Sequence, residues 1–124
     1  MHKPQGYPDV SAYLIVPDAA AVLDFCTAAF NADRLRVIER EGGGGILHAE
    51  CRIGDSVVMM GEMPDGPPAN LHLYLADAEA AFDRAVAAGA EVIQPMQSKG
   101  DGDLRGGVRD ASGTTWWIAR QEEA

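Results

Sequence analysis

The sequence predicts an α+β fold made of two copies of one small module, each in the order βαβββ. The first indication is an internal repeat, because a shift of 59 positions places residues of the first half on identical residues of the second. The matched pairs include Leu14 with Leu73, Asp18 with Asp77, Asp24 with Asp83 and Gly54 with Gly113. The second indication is that each half contains one alanine-rich helical stretch among short β-branched stretches. The third is segment 62–69 between the halves, whose prolines and glycine disfavour a regular element.

The first module is predicted to begin with a strand and a helix and to continue with three strands. These elements are strand 11–16, helix 18–30, strand 34–40, strand 46–53 and strand 56–61. Asp18 follows a proline at the end of the first strand and is expected to cap the helix. The four glycines 42–45 are expected to form a loop, since they lack the Lys-Ser/Thr spacing of a phosphate-binding loop.

The second module is predicted to follow the same plan. Its elements are strand 70–75, helix 77–88, strand 91–96, strand 105–110 and strand 114–120. Gly89 is expected to terminate the helix as a C-cap glycine. A polar, glycine-containing loop is expected over 97–104.

Length and composition fit one globular domain. With 124 residues, 47% hydrophobic and 23% charged, the chain can bury a core, so we expect one domain over 1–124, built of module 11–61 and module 70–120 joined by linker 62–69. A net charge of −9 disfavours nucleic acid as a partner and favours a neutral or cationic ligand. The sequence has no apolar run of membrane-spanning length and no signal-peptide core at its start, which predicts a cytoplasmic protein without a membrane partner.

The two cysteines are expected to be buried, reduced thiols. Cys26 shares a helix face with Val22, Leu23 and Phe30, and Cys51 alternates with apolar strand residues. Two cysteines form neither a disulfide framework nor a zinc-ligand set.

Three stretches of the chain resemble the vicinal oxygen chelate superfamily, which contains glyoxalase I, extradiol dioxygenases and bleomycin-resistance proteins, and within it the PhnB-like branch. They are His48–Ser56, Ala80–Ala90 and Gly107–Trp116. The resemblance implies a glyoxalase-like domain whose mixed sheet curls into a cup with the helices on its outer face. It also implies a homodimer. The turn Asp110-Ala-Ser-Gly113 replaces the Asp-Pro-Phe-Gly that is usual in this branch.

Strand alternation divides the residues between the helix side and the inside of this cup. Leu14 and Val16 are expected on the helix side, as are Leu47, Ala49, Cys51 and Ile53 of the third strand. Trp116 is expected in the core, whereas its neighbour Trp117 is expected to face a ligand. The predicted ligand-binding residues are Tyr13, His48, Glu50, Asn70, His72, Tyr74, Arg109 and Trp117.

The resemblance also implies four metal-ligand positions, on the first and fourth strand of each module. In this sequence they fall on Ser11, Val58, Asn70 and Trp117. Valine and tryptophan do not ligate divalent metals, and neutral serine and asparagine oxygens bind transition metals weakly. The sequence therefore predicts no metal cofactor. An alternative set is His48, Glu50 and His72, two histidines and a carboxylate of the kind that binds non-haem iron.

Two functions remain open at this point. One is a metal-free small-molecule-binding protein of the bleomycin-resistance kind, which holds a ligand in the cup of the sheet. The other is a glyoxalase- or dioxygenase-like enzyme, a lyase, isomerase or dioxygenase, that uses a non-standard metal set or a His48/Glu50 acid–base pair. The sequence shows no nucleophile motif, so it assigns no catalytic residue.

Overall fold

The computed structural model describes residues 2–122. Within those residues, eight strands and two α-helices follow one another in the order expected for two βαβββ modules, and a short 3-10 helix (Glu41–Gly43) lies between the second and third strands. The elements are β1 (Ala12–Val16), α1 (Ala19–Phe30), β2 (Asp33–Glu39), β3 (Ile46–Ile53), β4 (Ser56–Glu62), β5 (Asn70–Tyr74), α2 (Ala78–Ala87), β6 (Glu91–Ser98), β7 (Asp103–Arg109) and β8 (Thr115–Gln121). The strands form two separate mixed sheets of four strands, which confirms the α+β fold class.

The chain divides into two compact units. The first contains the residues up to Thr27 together with Asn31–Pro67, and its sheet has the order β1-β4-β3-β2. The β1–β4 pair is parallel and the other two pairs are antiparallel. Leu14 and Val16 are buried on the helix side, as their alternation predicts. The thiols of Cys26 on α1 and Cys51 on β3 are in contact, which fixes the helix against this face.

The second unit contains Ala28–Phe30 and the residues from Pro68 onward. Its sheet has the order β5-β8-β7-β6, again with one parallel pair, β5–β8. Helix α2 packs on β6, β7 and β8. Trp116 is fully buried, as predicted, and lies 5.2 Å from the ring of Phe30, centroid to centroid.

Most element boundaries agree with the sequence within one or two residues, and two local expectations are wrong. The loop expected over 97–104 is much shorter, because β6 continues to Ser98 and β7 already begins at Asp103. Leu47 is 49% exposed, although its alternation placed it with the core, because it lies near the open start of β3. Asp18 does cap α1, accepting a hydrogen bond from the amide of Ala21 at 3.1 Å.

The repeat is offset by 59 residues at the first strand but not at the last. Tyr13 pairs with Met59 in the first sheet, and His72 pairs with Trp117 in the second. The offset is 59 from residue 13 to 72 but 58 from residue 59 to 117, so Met59, and not Val58, corresponds to Trp117. At the third strand the offset is only 57, from Glu50 to Gly107. It returns to 58 because the turn between β3 and β4 has two residues, 54–55, whereas three residues, 111–113, separate the hydrogen-bonded Asp110 and Thr114.

Both cysteines are buried and neither forms a disulfide, as expected. The hydrogen bond from Cys26 lowers the pKa of the Cys51 thiol and outweighs the burial that would raise it. Neither helix within residues 2–122 has the length and apolar character needed to cross a membrane.

Candidate functional site: polar networks on the open faces of the two sheets

Each sheet has one face covered by its helix, and we call the opposite face the open face. In the first unit, alternation places Tyr13 of β1, Met59 of β4 and Glu50 of β3 side by side on the open face, since each is paired with the next in the sheet. Tyr13 is 50% exposed, whereas Glu50 is only 3% exposed. A carboxylate this buried needs hydrogen-bond donors around it.

A chain of four hydrogen-bonded side chains supplies them. Tyr13 Oη lies 3.1 Å from His48 Nδ1, and His48 Nε2 lies 2.7 Å from Glu50 Oε2. The hydroxyl of Tyr7 donates to the other carboxylate oxygen, Oε1. The network therefore reaches from the half-exposed Tyr13 to the covered Glu50.

The electrostatics of this network fix the direction of its hydrogen bonds. Burial by itself would raise the pKa of Glu50, but hydrogen bonds from His48 and Tyr7, together with the charges of His48 and Arg36, lower the pKa below its usual value. Glu50 is therefore ionised at neutral pH and accepts only. His48 Nε2 must then donate, and in the neutral ring Nδ1 accepts from the Tyr13 hydroxyl. The bond to Glu50 in turn raises the pKa of Tyr7.

Tyr7 belongs to a segment outside the sheet that crosses its open face. We call residues 2–10 the N-terminal strap. The guanidinium of Arg52 donates to the carbonyl of Gly6 at 2.9 Å, and its carbon atom lies 5.9 Å from the centroid of the Tyr7 ring. The strap also contains an ion pair between Lys3 and Asp9. Arg52 and Glu50 together therefore hold the strap over β3.

A second network lies on the open face of the second unit. Arg105 of β7 donates from Nε to His72 Nε2 at 3.0 Å and from Nη2 to Asp103 Oδ2 at 2.6 Å. The same carboxylate oxygen accepts from the Tyr74 hydroxyl at 2.7 Å, which raises the pKa of Tyr74. Arg105 also donates from Nη1 to Asp101 Oδ2 at 2.9 Å, and this bond holds the pKa of the Asp101 carboxyl below its usual value. Because Arg105 donates, His72 Nε2 accepts, so in the neutral ring Nδ1 carries the proton.

The two networks share two equivalent positions in the repeat. The sheet registers make Tyr13 equivalent to His72 and His48 equivalent to Arg105. In both units a ring on the first strand is bonded to a basic side chain on the third. That basic side chain is bonded in turn to a carboxylate on its own strand, but the carboxylates are not equivalent: Glu50 follows His48 by two residues, whereas Asp103 precedes Arg105 by two. The connectivity is thus repeated although the residue types differ.

Trp117 lies on the same open face as the second network. Its indole Nε1 donates to Asn70 Oδ1 at 3.1 Å, and its ring covers Gly107 so closely that a Cβ there would lie 2.6 Å from Cζ3. Arg109 is exposed at the edge of this face and forms an ion pair with Glu91 at 3.2 Å. The face therefore presents a partly exposed indole that lies directly over Gly107.

The structure thus places all eight predicted binding residues on open faces, five of them in the two hydrogen-bonded networks and the other three beside the second network. The first unit contains three of the eight, and the second contains five: Tyr13, His48 and Glu50 in the first, and Asn70, His72, Tyr74, Arg109 and Trp117 in the second. Sequence reasoning missed Tyr7, Asp103 and Arg105. Arg105 precedes Gly107 by two residues on one strand, so alternation was a signal for it.

The positions that the family resemblance assigns to a divalent metal do not fit one. Val58 pairs with Cys51 and is buried on the helix side, so it is on the wrong face as well as of the wrong chemistry. Its neighbour on the open face, Met59, offers only a soft thioether. Asn70 and Trp117 are hydrogen-bonded to each other. These residues do not make a donor set for a hard divalent ion.

The side chains of the alternative metal set, His48, Glu50 and His72, are engaged in other hydrogen bonds. Within residues 2–122, no group of three His, Cys, Asp or Glu side chains is arranged to hold a metal ion. One of the two ring nitrogens of His72 already accepts from Arg105, and His48 and Glu50 are bonded to each other.

Comparison with known proteins identifies the family to which this architecture belongs. Residues 10–118 match the model of the Glyoxalase/Bleomycin resistance protein/Dioxygenase superfamily. An uncharacterised protein of Mycobacterium bovis is 33% identical over an alignment that covers 91% of this chain and 83% of its own length. An uncharacterised protein of Mycobacterium tuberculosis is also 33% identical, with 91% and 74% covered.

Two solved structures share the fold. The crystal structure of TioX from Micromonospora sp. ML1 superposes with a TM-score of 0.77 at 24% identity, covering 93% of this chain and 99% of TioX. The fosfomycin resistance protein FosX of Listeria monocytogenes superposes with a TM-score of 0.74 at 14% identity, covering 93% and 94%. Since the family model spans most of the residues and both βαβββ units, the chain belongs to the glyoxalase/bleomycin resistance protein/dioxygenase superfamily, the vicinal oxygen chelate fold.

Proposed function

We propose that this protein binds a small organic molecule on the open faces of its sheets, without the divalent metal used by many relatives. The observation that carries the proposal is the composition of those faces. They combine partly exposed rings with a small number of fixed polar groups, which is how ligand sites are generally built. The proposal extends to a single-domain, cytoplasmic protein of the PhnB-like branch that acts as a homodimer.

Exposed rings provide the stacking surface that such a ligand needs. Tyr13 is 50% exposed and Tyr74 is 63% exposed, although each hydroxyl is already hydrogen-bonded within its network. Their ring faces therefore remain accessible while their orientation is fixed. Trp117 adds a larger ring that Asn70 holds in place. Rings fixed in this way bind planar ligands at a low cost in conformational entropy.

The ligand class follows from the net charge of the chain. A net charge of −9 favours a neutral or cationic ligand over an anionic one. One structural neighbour is described as a fosfomycin resistance protein, which agrees with a scaffold that handles small organic molecules. The likeness to that protein concerns the fold.

Metal analysis and tryptophan fluorescence test the proposal together. Protein purified without added metal is titrated with neutral and cationic aromatic compounds while Trp117 fluorescence is followed. Saturable quenching in protein that carries no stoichiometric metal supports binding, and the Trp117→Phe variant should lose the signal because Trp116 is fully buried. A stoichiometric metal, or the absence of quenching by any compound, would contradict the proposal. A monomer in size-exclusion chromatography at micromolar concentration would contradict the homodimer.

A second candidate function is proton transfer by the His48–Glu50 pair, which the 2.7 Å contact favours. An ionised Glu50 holds the Nε2 proton of His48 and would stabilise the imidazolium that forms when Nδ1 takes a proton. Tyr13 is the exposed end of the same chain, so a ligand would exchange its proton there. The test is turnover by chelator-treated protein, followed by the His48→Phe variant. Metal-free turnover that this variant abolishes supports the enzyme, and turnover that appears only with metal contradicts it.

A further inference from the structure

The N-terminal strap places an aromatic ring directly on the open face of the first unit. The Tyr7 hydroxyl donates to the buried Glu50, and the Tyr7 ring lies beside the guanidinium of Arg52. A phenol is thus bound to this face by two interactions, a hydrogen bond to a carboxylate and a cation–π contact. Any planar ring that carries a hydrogen-bond donor could make the same two interactions.

Glu50 requires a donor at this position. It is 3% exposed and ionised, and His48 satisfies only one of its oxygens. If Tyr7 moved away, Oε1 would lose its partner, which is costly for a buried charge. A ligand hydroxyl, or water, would have to replace the phenol.

The strap is held by few interactions and so can be displaced. Within residues 2–122, the hydrogen bonds described between the strap and the sheet end on the side chains of Glu50 and Arg52. The strap forms no ladder with a strand, and its backbone bond from Tyr7 to Pro4 is internal. Segments with so few fixed contacts open at a much lower free energy than the folded core.

We propose that Tyr7 occupies a ligand slot, and that the ligand is a neutral planar ring with a hydroxyl that replaces the Tyr7 phenol on Glu50 beneath Arg52. This inference rests on the proposed function and assigns its ligand class and its site in the first unit. The slot lies on β3 and β4, since Glu50 is paired with Met59 and Arg52 with Val57. Met59 and Val57 provide an apolar floor for the ring.

The strap then competes with the ligand. If the slot is open for a fraction f of the time, the apparent dissociation constant is the intrinsic one divided by f. A strap that covers the slot nine-tenths of the time would weaken binding about tenfold, and removing the Tyr7 ring would restore that factor. Removing only the hydroxyl should give a smaller gain, because the ring would still lie beside Arg52.

The experiment is calorimetric titration with 2-naphthol, which stays protonated at neutral pH, and with 2-methoxynaphthalene, which lacks the donor. We expect the Tyr7→Ala variant to bind 2-naphthol about tenfold more tightly than the wild type does, with Tyr7→Phe between them. In the Tyr7→Ala background, 2-methoxynaphthalene and the Glu50→Gln variant should each lose at least tenfold in affinity, since a hydrogen bond to a charged carboxylate is lost. Gln5→Ala is the matched control, an exposed strap residue whose change leaves Tyr7 in place.

Two results would overturn the inference. One is a Tyr7→Ala variant that binds 2-naphthol no more tightly than the wild type, including no binding by either. The other is equal affinity for 2-naphthol and 2-methoxynaphthalene in that variant. Circular dichroism establishes that Tyr7→Ala is folded, and Tyr7→Phe repeats the test with the ring retained. If either result is found while other compounds still quench Trp117 fluorescence in the wild type, only this inference is wrong. If no compound binds at all, the proposed function is wrong as well.

Discussion

Replacing Glu50 by glutamine tests whether an ionised, buried carboxylate organises the first open face. Glutamine has the same size, but one acceptor oxygen becomes an amide that donates. Either the Tyr7 hydroxyl or His48 Nε2 then loses its acceptor. A hydrogen bond to a charged group contributes about 1.5–3 kcal/mol, so we expect a loss of about 2 kcal/mol in the free energy of unfolding. For a chain of this length that corresponds to a fall of about 8 °C in Tm.

The pH dependence of this loss provides the sharper test. The pKa of Glu50 is lower in the folded protein than in the unfolded chain, so its contribution is complete above the unfolded value, about 4.3, and disappears as the pH falls through the folded pKa. The groups that act on Glu50 are Tyr7, His48 and Arg36. The difference in Tm between wild type and variant should therefore be full at pH 7 and should close in acid below pH 4.3.

Thermal melts followed by circular dichroism between pH 7 and pH 3 measure both effects. Glu79→Gln is the matched control, because Glu79 is an exposed carboxylate paired with Arg120 at 3.0 Å, and surface pairs contribute little. Its Tm should change much less. Equal stability of wild type and Glu50→Gln at pH 7, or a difference that stays constant down to pH 3, would refute the assignment of Glu50 as the ionised acceptor.

Two further substitutions test the second unit. Gly107→Ala would place a Cβ 2.6 Å from the Trp117 ring. The indole must then shift by about 1 Å to regain normal contact, and its fluorescence maximum should change. Gly44→Ala is the control, since its Cβ would meet no heavy atom nearer than 3.7 Å and should leave the fluorescence maximum unchanged. An unaltered spectrum of Gly107→Ala would show that the ring does not cover the glycine. Asp110→Asn weakens the buried acceptor of the Trp116 indole, at 2.8 Å, and should lower stability by about 2 kcal/mol in urea denaturation; a change below 0.5 kcal/mol would contradict that role.

Strand alternation was sufficient to find much of the candidate site. It placed His48 and Glu50 on one face and Ala49 and Cys51 on the other, and the structure has the first pair hydrogen-bonded and the second pair fully buried. The alternation is reliable here because one face of the sheet is covered by a helix. A shift of the strand register by one residue would move polar side chains to the core face and core side chains to the open face.

Tyr7 and Asp103, which sequence reasoning missed, lie in segments for which the sequence predicted no strand. Tyr7 approaches Glu50 from a strap without periodicity, so no pattern connects two residues 43 positions apart. Asp103 fell in a segment whose glycines and charges are typical of a loop, although the structure has it as the first residue of β7. In both cases tertiary contacts decide the outcome against local propensity.

The internal repeat shows how far sequence identity can mislead about register. Gly54 and Gly113 match in sequence and both have positive φ, 57° and 89°, in their turns. The match is therefore real in terms of conformation, but the second turn is one residue longer. Because β3 and β7 are offset by only 57 residues, from Glu50 to Gly107, the extra turn residue gives an offset of 58 and not 59 for the strand that follows. Met59, and not Val58, is therefore the counterpart of Trp117.

The proposed function requires that the open faces hold a small molecule without a divalent metal. The most direct measurement is a tryptophan fluorescence titration of chelator-treated protein with neutral and cationic aromatic compounds, before and after one equivalent of divalent metal is restored. Binding without a metal should give saturable quenching that is already complete in the chelated protein, is unchanged by metal and is lost in Trp117→Phe. Quenching that appears only when the metal is returned would contradict it.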